Sequence, residues 1–250
     1  MSPAVLSCMI FALTLGGIAL GALLRTALPQ HHLSKESQDV VRLGAGLVAT
    51  IAALVLGLLI AAAKGSFDTQ SGQIRQITAD VILLDALLEQ YGPETQPIRV
   101  AMRGAIGPLA DRIWHEKATD AARPFATDTE AESVYIAIQA LSPKNDLQRS
   151  LQSRAAQIST DLAQTRLLLF AESDSAIPAP FIAILAFWLI IIFASFSLFA
   201  ALNVTVFTFL SLFALSASCA IFLILELSQP FTGLLMIPSG PLRNALAPLG

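Results

Sequence analysis

Few residues in this chain are equipped for chemistry, and those that are stand mostly at the edges of apolar runs. Asp85 lies four residues after Val81 and three before Leu88, on or beside an apolar seam at helical spacing, with Arg99 and Arg103 in the stretch that follows. A carboxylate so placed either pairs with one of those guanidiniums and fixes packing or contacts an ion or ligand. Lys64 closes an apolar run, where a lysine snorkels to a membrane surface, although a ring of such lysines in an oligomer would attract anions. Glu226 closes another run, either as a solvated end marker or as an ionisable site at a bilayer edge. Asn203 splits that same run, as a turn residue or as a ligand. Thr205, Thr208, Ser211, Ser216 and Ser218 follow it; such hydroxyls either bond their own helix backbone or line a wet path.

Other chemistries lack their residues. His31 and His32 are adjacent, so they do not share a helix face as paired ligands do, and a loop position is expected for them. Cys8 and Cys219 both fall inside apolar runs and read as small membrane-buried side chains. No Cys/His cluster has metal spacing, and there is no His-Glu-x-x-His, Gly-x-Ser-x-Gly or phosphate-binding Gly loop. An enzyme is therefore not expected, and no cofactor or metal is implied. A net charge of −3 offers no concentrated basic surface for nucleic acid.

The elements that must position these residues are apolar helices. Of the 250 residues 55% are hydrophobic and 13% charged, with a mean hydropathy of +0.68, outside the ordinary range of soluble domains. Residues 175–225 form 51 consecutive positions without Asp, Glu, Lys or Arg, about twice what one spanning helix needs. The spacing predicts two spans, about 179–201 and 204–225, joined by a tight turn at Asn203. The nine phenylalanines of this stretch read as lipid-facing or packing residues, with a hydrophobic gate as the sharper alternative. Pro3 to Leu24 is uncharged for 22 residues. It is too long for a signal-peptide core of about 7 to 15 residues and lacks a basic leader, so a retained span is expected. Its Gly17 and Gly21 form a small-xxx-small pair suited to close helix approach. Leu43 to Ala63 is uncharged for 21 residues, and Ala45, Ala49, Ala53, Gly57 and Ala61 recur every four positions. That face is expected to pack against the first span.

Residues 64–178 hold 11 of the 15 basic and 15 of the 18 acidic residues and read as helical throughout. Ile74, Ile77, Val81, Leu84, Leu88 and Tyr91 make one amphipathic seam, stopped by Gly92-Pro93. Pro97 opens the next helix, with Ile98, Met102, Ile106, Leu109 and Ile113 inward and an interruption or kink expected at Gly104 and Gly107-Pro108. Thr127 and Glu130 form a capping box before Val134, Ile138 and Leu141. Ser142-Pro143 starts the last helix, whose apolar positions are Leu147, Leu151, Ile158, Leu162 and Leu169. Pro178 and Pro180 stand where a span begins. The tail after Leu225 is apolar but punctuated by Pro and Gly, so it cannot span and is expected to lie against the protein or the headgroups, with a short helix from Pro241 to about Leu246. The organisation is thus all-α and multi-pass: a first transmembrane hairpin (1–63), a helical soluble segment (64–178), a second hairpin (179–225) and a tail (226–250).

These stretches carry a resemblance. Leu56-Gly57-Leu58-Leu59-Ile60-Ala61-Ala62-Ala63-Lys64, Ser66-Phe67, Leu84-Asp85, Tyr91-Gly92-Pro93-Glu94, Arg99, Trp188, Phe196, Asn203, Leu225-Glu226-Leu227, Pro230-Phe231-Thr232-Gly233 and Pro241-Leu242-Arg243 cover nearly the whole chain in order. In them the sequence resembles the bestrophin-like domain family, four-span membrane proteins of unknown function. One position departs from the family pattern: Ser228 stands where an acid would follow two residues after Glu226, so a paired acidic motif is not carried over. The resemblance points to Glu226 and the Pro230, Phe231 and Gly233 turn as site positions, beside Lys64, Asp85, Arg99 and Asn203. Through the bestrophins, which are oligomeric and mainly anion-conducting, it implies a homo-oligomeric channel at the cell membrane. The alternative is a non-conducting scaffold or sensor whose residues 64–178 bind a protein partner. Lys and Arg near the spans do not choose a side; with no leader visible, the N-terminus, middle segment and tail are expected in the cytosol.

Overall fold

The computed structural model describes residues 2–29, 33–115, 129–173, 177–200 and 203–245. They form eight α-helices and a short 3-10 turn, with no strand among them. The helices are α1 (Pro3–Ala27), α2 (Lys35–Tyr91), α3 (Gln96–His115), α4 (Thr129–Gln139), α5 (Asp146–Ser173), α6 (Ala179–Phe199), α7 (Val204–Leu227) and α8 (Gly240–Arg243). Four of them, α1, α2, α6 and α7, are long and apolar enough to cross a membrane. The chain divides into two compact units: residues 1–66 with 176–229, and residues 67–175 with 230–250.

In the first unit α1 packs against α6 and α7. The pair Gly17 and Gly21 makes this possible. A Cβ on Gly17 would come within 3.0 Å of the Ile190 carbonyl oxygen, and one on Gly21 would overlap the Ala194 carbonyl oxygen. The backbones of α1 and α6 are therefore in direct contact, the device by which membrane helices gain dispersion energy when hydrophobic burial offers little. Ser197 seals the same contact by donating to the Ile18 carbonyl at 2.7 Å. Ile10, Ile182, Ala186 and Ile221 fill one layer of the interior, and Ile18, Phe193, Leu210 and Ala214 fill another.

The small-residue face of α2 divides into a covered and an uncovered part: Ala45 is buried and Ala49 is half-buried, the latter packed on α6. Ala52, not the 53-57-61 row, is buried, in a cluster with Leu185 and Ile192 of α6 edged by Val48, Leu59 and Trp188. Ala53, Gly57 and Ala61 are exposed. Val48, Val55 and Leu59 pack on α6 alongside Ala49 and Ala52, so the Ala53-Gly57-Ala61 part of the row is turned out.

The second unit is an amphipathic helical assembly with two cores. Ile74, Ile77 and Val81 meet Ile106, Ala110, Ile113, Leu169 and the tail residues Phe231, Ile237 and Leu242. Further along the same seam, Leu84 and Leu88 meet Ile98, Met102, Val134, Ile138, Ala155 and Ile158. Burying each Ile, Leu, Val, Met or Phe among them stabilises the unit by about 1.5–3 kcal/mol before entropy is charged against it. The span and this seam lie on one continuous helix of 57 residues, without a break at Lys64.

Several local expectations change. α3 is not interrupted at Gly104, Gly107 or Pro108 and continues to His115; one missing donor is offset by the buried Ile106, Ala110 and Ile113 on either side. α5 begins at Asp146, not at Pro143, because Asn145 caps it: its Oδ1 accepts from the Gln148 amide at 2.8 Å. Leu147, in that first turn, is 68% exposed and joins no core. The last helix is the four-residue α8. His31, His32, Thr127 and Leu246 lie outside the described residues, as does the side chain of Glu130.

Candidate functional site

The strongest polar constellation is in the second unit, where α2 ends and α3 begins. Gly92 adopts φ +135°, a conformation that other residues avoid, and the chain reverses through the Pro93–Thr95 turn. Thr95 locks the reversal by donating to the carbonyls of Leu88 (2.5 Å) and Gly92 (2.8 Å). Gln148 of α5 donates to the Tyr91 carbonyl at 2.9 Å, so an orphan acceptor at the end of α2 is satisfied from another helix. This turn sets Arg99 against Asp85.

The pair is bidentate. Arg99 Nε reaches Asp85 Oδ1 at 2.8 Å and Nη2 reaches Oδ2 at 2.8 Å. Arg103 adds a contact at 3.4 Å to Oδ2, and Glu89 one at 3.3 Å to Arg99. The spacing suggested Arg99 or Arg103 as partner; Asp85 takes both. With only 13% of either side chain exposed, the Asp85–Arg99 pair is shielded enough to matter. Arg99, first by hydrogen bond and then by charge, holds the Asp85 carboxyl below its ordinary range, against the opposing effect of burial. Asp85 lies 22 residues beyond Ala63, where the uncharged run ends, and so stands outside the span. A carboxylate held by two guanidiniums has most of its acceptor positions filled, which suits it to fixing the α2–α3 angle.

A second constellation gathers the tail residues. Phe231 and Ile237 are buried, and the Ile237 amide donates to the Pro230 carbonyl at 2.8 Å, closing a loop over residues 230–237. Gly233 turns it at φ +99°. Trp114 of α3 clamps its base: the indole donates to the Ile237 carbonyl at 2.7 Å, and its ring meets Phe231 edge to face at 5.6 Å. Arg243 of α8 pairs with Asp111 one turn earlier on α3. Sequence reasoning missed Trp114; its one signal was being the sole tryptophan outside the uncharged runs. Also missed was Arg166 of α5, whose guanidinium is pushed down by burial and by the neighbouring Arg112.

The remaining candidates lie in the first unit. Asn203 is the N-cap of α7, its Oδ1 accepting from the Val206 amide at 2.8 Å, so the turn reading describes it. Glu226 sits in the last turn of α7 and is 3% exposed, a buried group and not a solvated marker. Lys64 is exposed on α2. Thr208 donates to the Val204 carbonyl of its own helix at 2.8 Å. Arg25, closing α1, donates to the Ala200 carbonyl at the end of α6. The site candidates thus fall into separate places: Asp85 with Arg99 at one turn, Pro230, Phe231 and Gly233 at Trp114, and Lys64, Asn203 and Glu226 on membrane helices.

This arrangement, four apolar helices and a helical unit with its own cores, defines a multi-pass α-helical membrane protein. A family model for the bestrophin-like domain matches residues 11–242, and the chain belongs to that family. No curated protein and no solved structure matches it.

Proposed function

We infer that the protein is a homo-oligomeric, non-enzymatic ion pathway of the cell membrane, selective for small anions and assembled around α2. The uncovered face of α2 carries this reading. α1 spends its close-approach pair, Gly17 and Gly21, on α6, and the interior that these two share with α7 is filled by Ile10, Ile18, Ala186, Phe193, Ala214 and Ile221. α2 instead leaves Gly46, Thr50, Ala53, Gly57 and Ala61 exposed, with open space around a Cβ at Gly46 or Gly57. A face of small residues in a bilayer suits a second copy, and helices from several copies around one axis would enclose a path. Lys64, one turn beyond Ala61, would then recur as a ring that draws anions. The exposed Thr205, Thr208 and Ser216 of α7 are the other available lining. The N-terminus, the unit from Phe67 and the tail face the cytosol in this reading.

Exposed aliphatics on the second unit, Val100 and Ile136 among them, support a scaffold that binds a protein partner there. One experiment separates the two: chloride flux from liposomes carrying the purified protein, with the oligomer mass in detergent. The pathway reading expects flux and a ring-sized mass, with flux reduced by Lys64→Glu. Flux no greater than from empty liposomes, with a monomeric or dimeric mass, would sink it and favour the scaffold.

A further inference from the structure

The loop between Pro230 and Ile237 is rigid at its base and apolar at its tip. The base is closed by the Ile237 amide on the Pro230 carbonyl and clamped by Trp114. The tip, Leu234-Leu235-Met236, is held outward: Leu234 is 81% exposed, Met236 56% and Leu235 44%. An anchored backbone with a positive-φ glycine at its turn presents these three side chains by construction. Three adjacent aliphatics fixed outward are unfavourable in water and call for an apolar surface.

Connectivity says which surface. α7 ends at Leu227, and the loop begins three residues later. At about 3.5 Å per residue, Pro230 lies within roughly 10 Å of the end of a membrane helix. α7, at 24 residues, is about 36 Å long and already exceeds a hydrocarbon core of about 30 Å. Its end therefore falls at the bilayer surface. Between Glu226 and Arg243 the chain carries no charge, so nothing in the segment opposes entry into the boundary of headgroups and acyl chains. We propose that Leu234, Leu235 and Met236 form an interfacial anchor that inserts shallowly into the lipid of the leaflet where α7 exits, fixing the Trp114-clamped loop to the membrane surface. The anchor acts whether or not the protein conducts.

The test places an NBD label at M236C in the full chain carrying C8S and C219S, reconstituted in phosphatidylcholine vesicles containing doxyl-lipids. Insertion predicts blue-shifted emission and loss of roughly half the intensity to a shallow doxyl position, with less loss to a deep one. Unshifted emission quenched by aqueous iodide would place the loop in water and overturn the proposal. Blue-shifted emission immune to both quenchers would mean that protein, such as a second copy, covers the tip, and would overturn it equally. Labelling at L234C repeats the measurement should M236C fail to fold, as judged by its elution profile.

Discussion

The two units solve the same problem, holding helices together, with opposite means. In the unit of α1, α6 and α7 the decisive contact is glycine against backbone: Gly17 and Gly21 accept the Ile190 and Ala194 carbonyls with no side chain between. In the unit from Phe67 the decisive contacts are large aliphatics in two cores, with a shielded ion pair and side-chain caps at the helix ends. The difference follows from solvent. Lipid is as apolar as leucine, so only closeness and hydrogen bonding favour one helix partner over lipid. Water rewards removal of every aliphatic side chain, so bulk wins there, and an ion pair is retained where partly shielded geometry is good.

That contrast can be broken at chosen points. Arg99→Ala leaves the Asp85 carboxylate short of its main partner and should destabilise the second unit by about 3 kcal/mol, read by urea titration with hydrogen exchange resolved to residues 67–115. Exchange within α1 should stay unchanged. The same pair carries a pH signature. The Asp85 pKa is lowered in the fold, so its contribution is complete above the unfolded carboxyl value of about 3.9 and is lost as pH falls through the lower folded value. The stability gap between the native protein and Asp85→Asn should therefore close on acidification; a gap constant down to strong acid would show that the pair contributes by shape alone.

Gly21→Ala should act on the other unit. One methyl has to displace the Ala194 carbonyl, an overpacking cost of about 2 kcal/mol, seen as lower thermal stability in detergent, while Gly16→Ala on the same helix, facing open space, should be neutral or better. Equal effects at the two glycines would mean that their helix propensity, not the α1–α6 contact, decides. Trp114→Phe keeps the ring against Phe231 but removes the indole donor, about 1 kcal/mol, and should raise protease cleavage within 230–245 without moving global stability much. Smallest of all, Lys144→Ala removes an exposed pair with Glu94 and should leave the urea midpoint unchanged.

Much of this was legible beforehand because periodicity and charge report burial directly. The seam from Ile74 to Tyr91 is buried at every position it named, and the stop at Gly92 falls where the glycine stands. The Asp85–Arg99 pair was readable because the residues flank one tight turn, which brings α2 and α3 side by side. Start signals were less reliable: Ser142-Pro143 looked like a helix entrance, yet Asn145 caps α5 because its side chain reaches Gln148 and Asp146 suits the first turn.

The sequence by itself determined four apolar helices, a charged helical segment, the glycine pair on α1 and the turn at Asn203, since each follows from local composition or spacing. Only the tertiary structure decided that α1 rests on α6, that the Ala53-Gly57-Ala61 part of the α2 row is left uncovered, and that the tail folds onto Trp114. Those outcomes depend on which of several similar apolar surfaces fits best. In a bilayer many faces have the right hydrophobicity, and shape at the level of a single methyl group chooses among them.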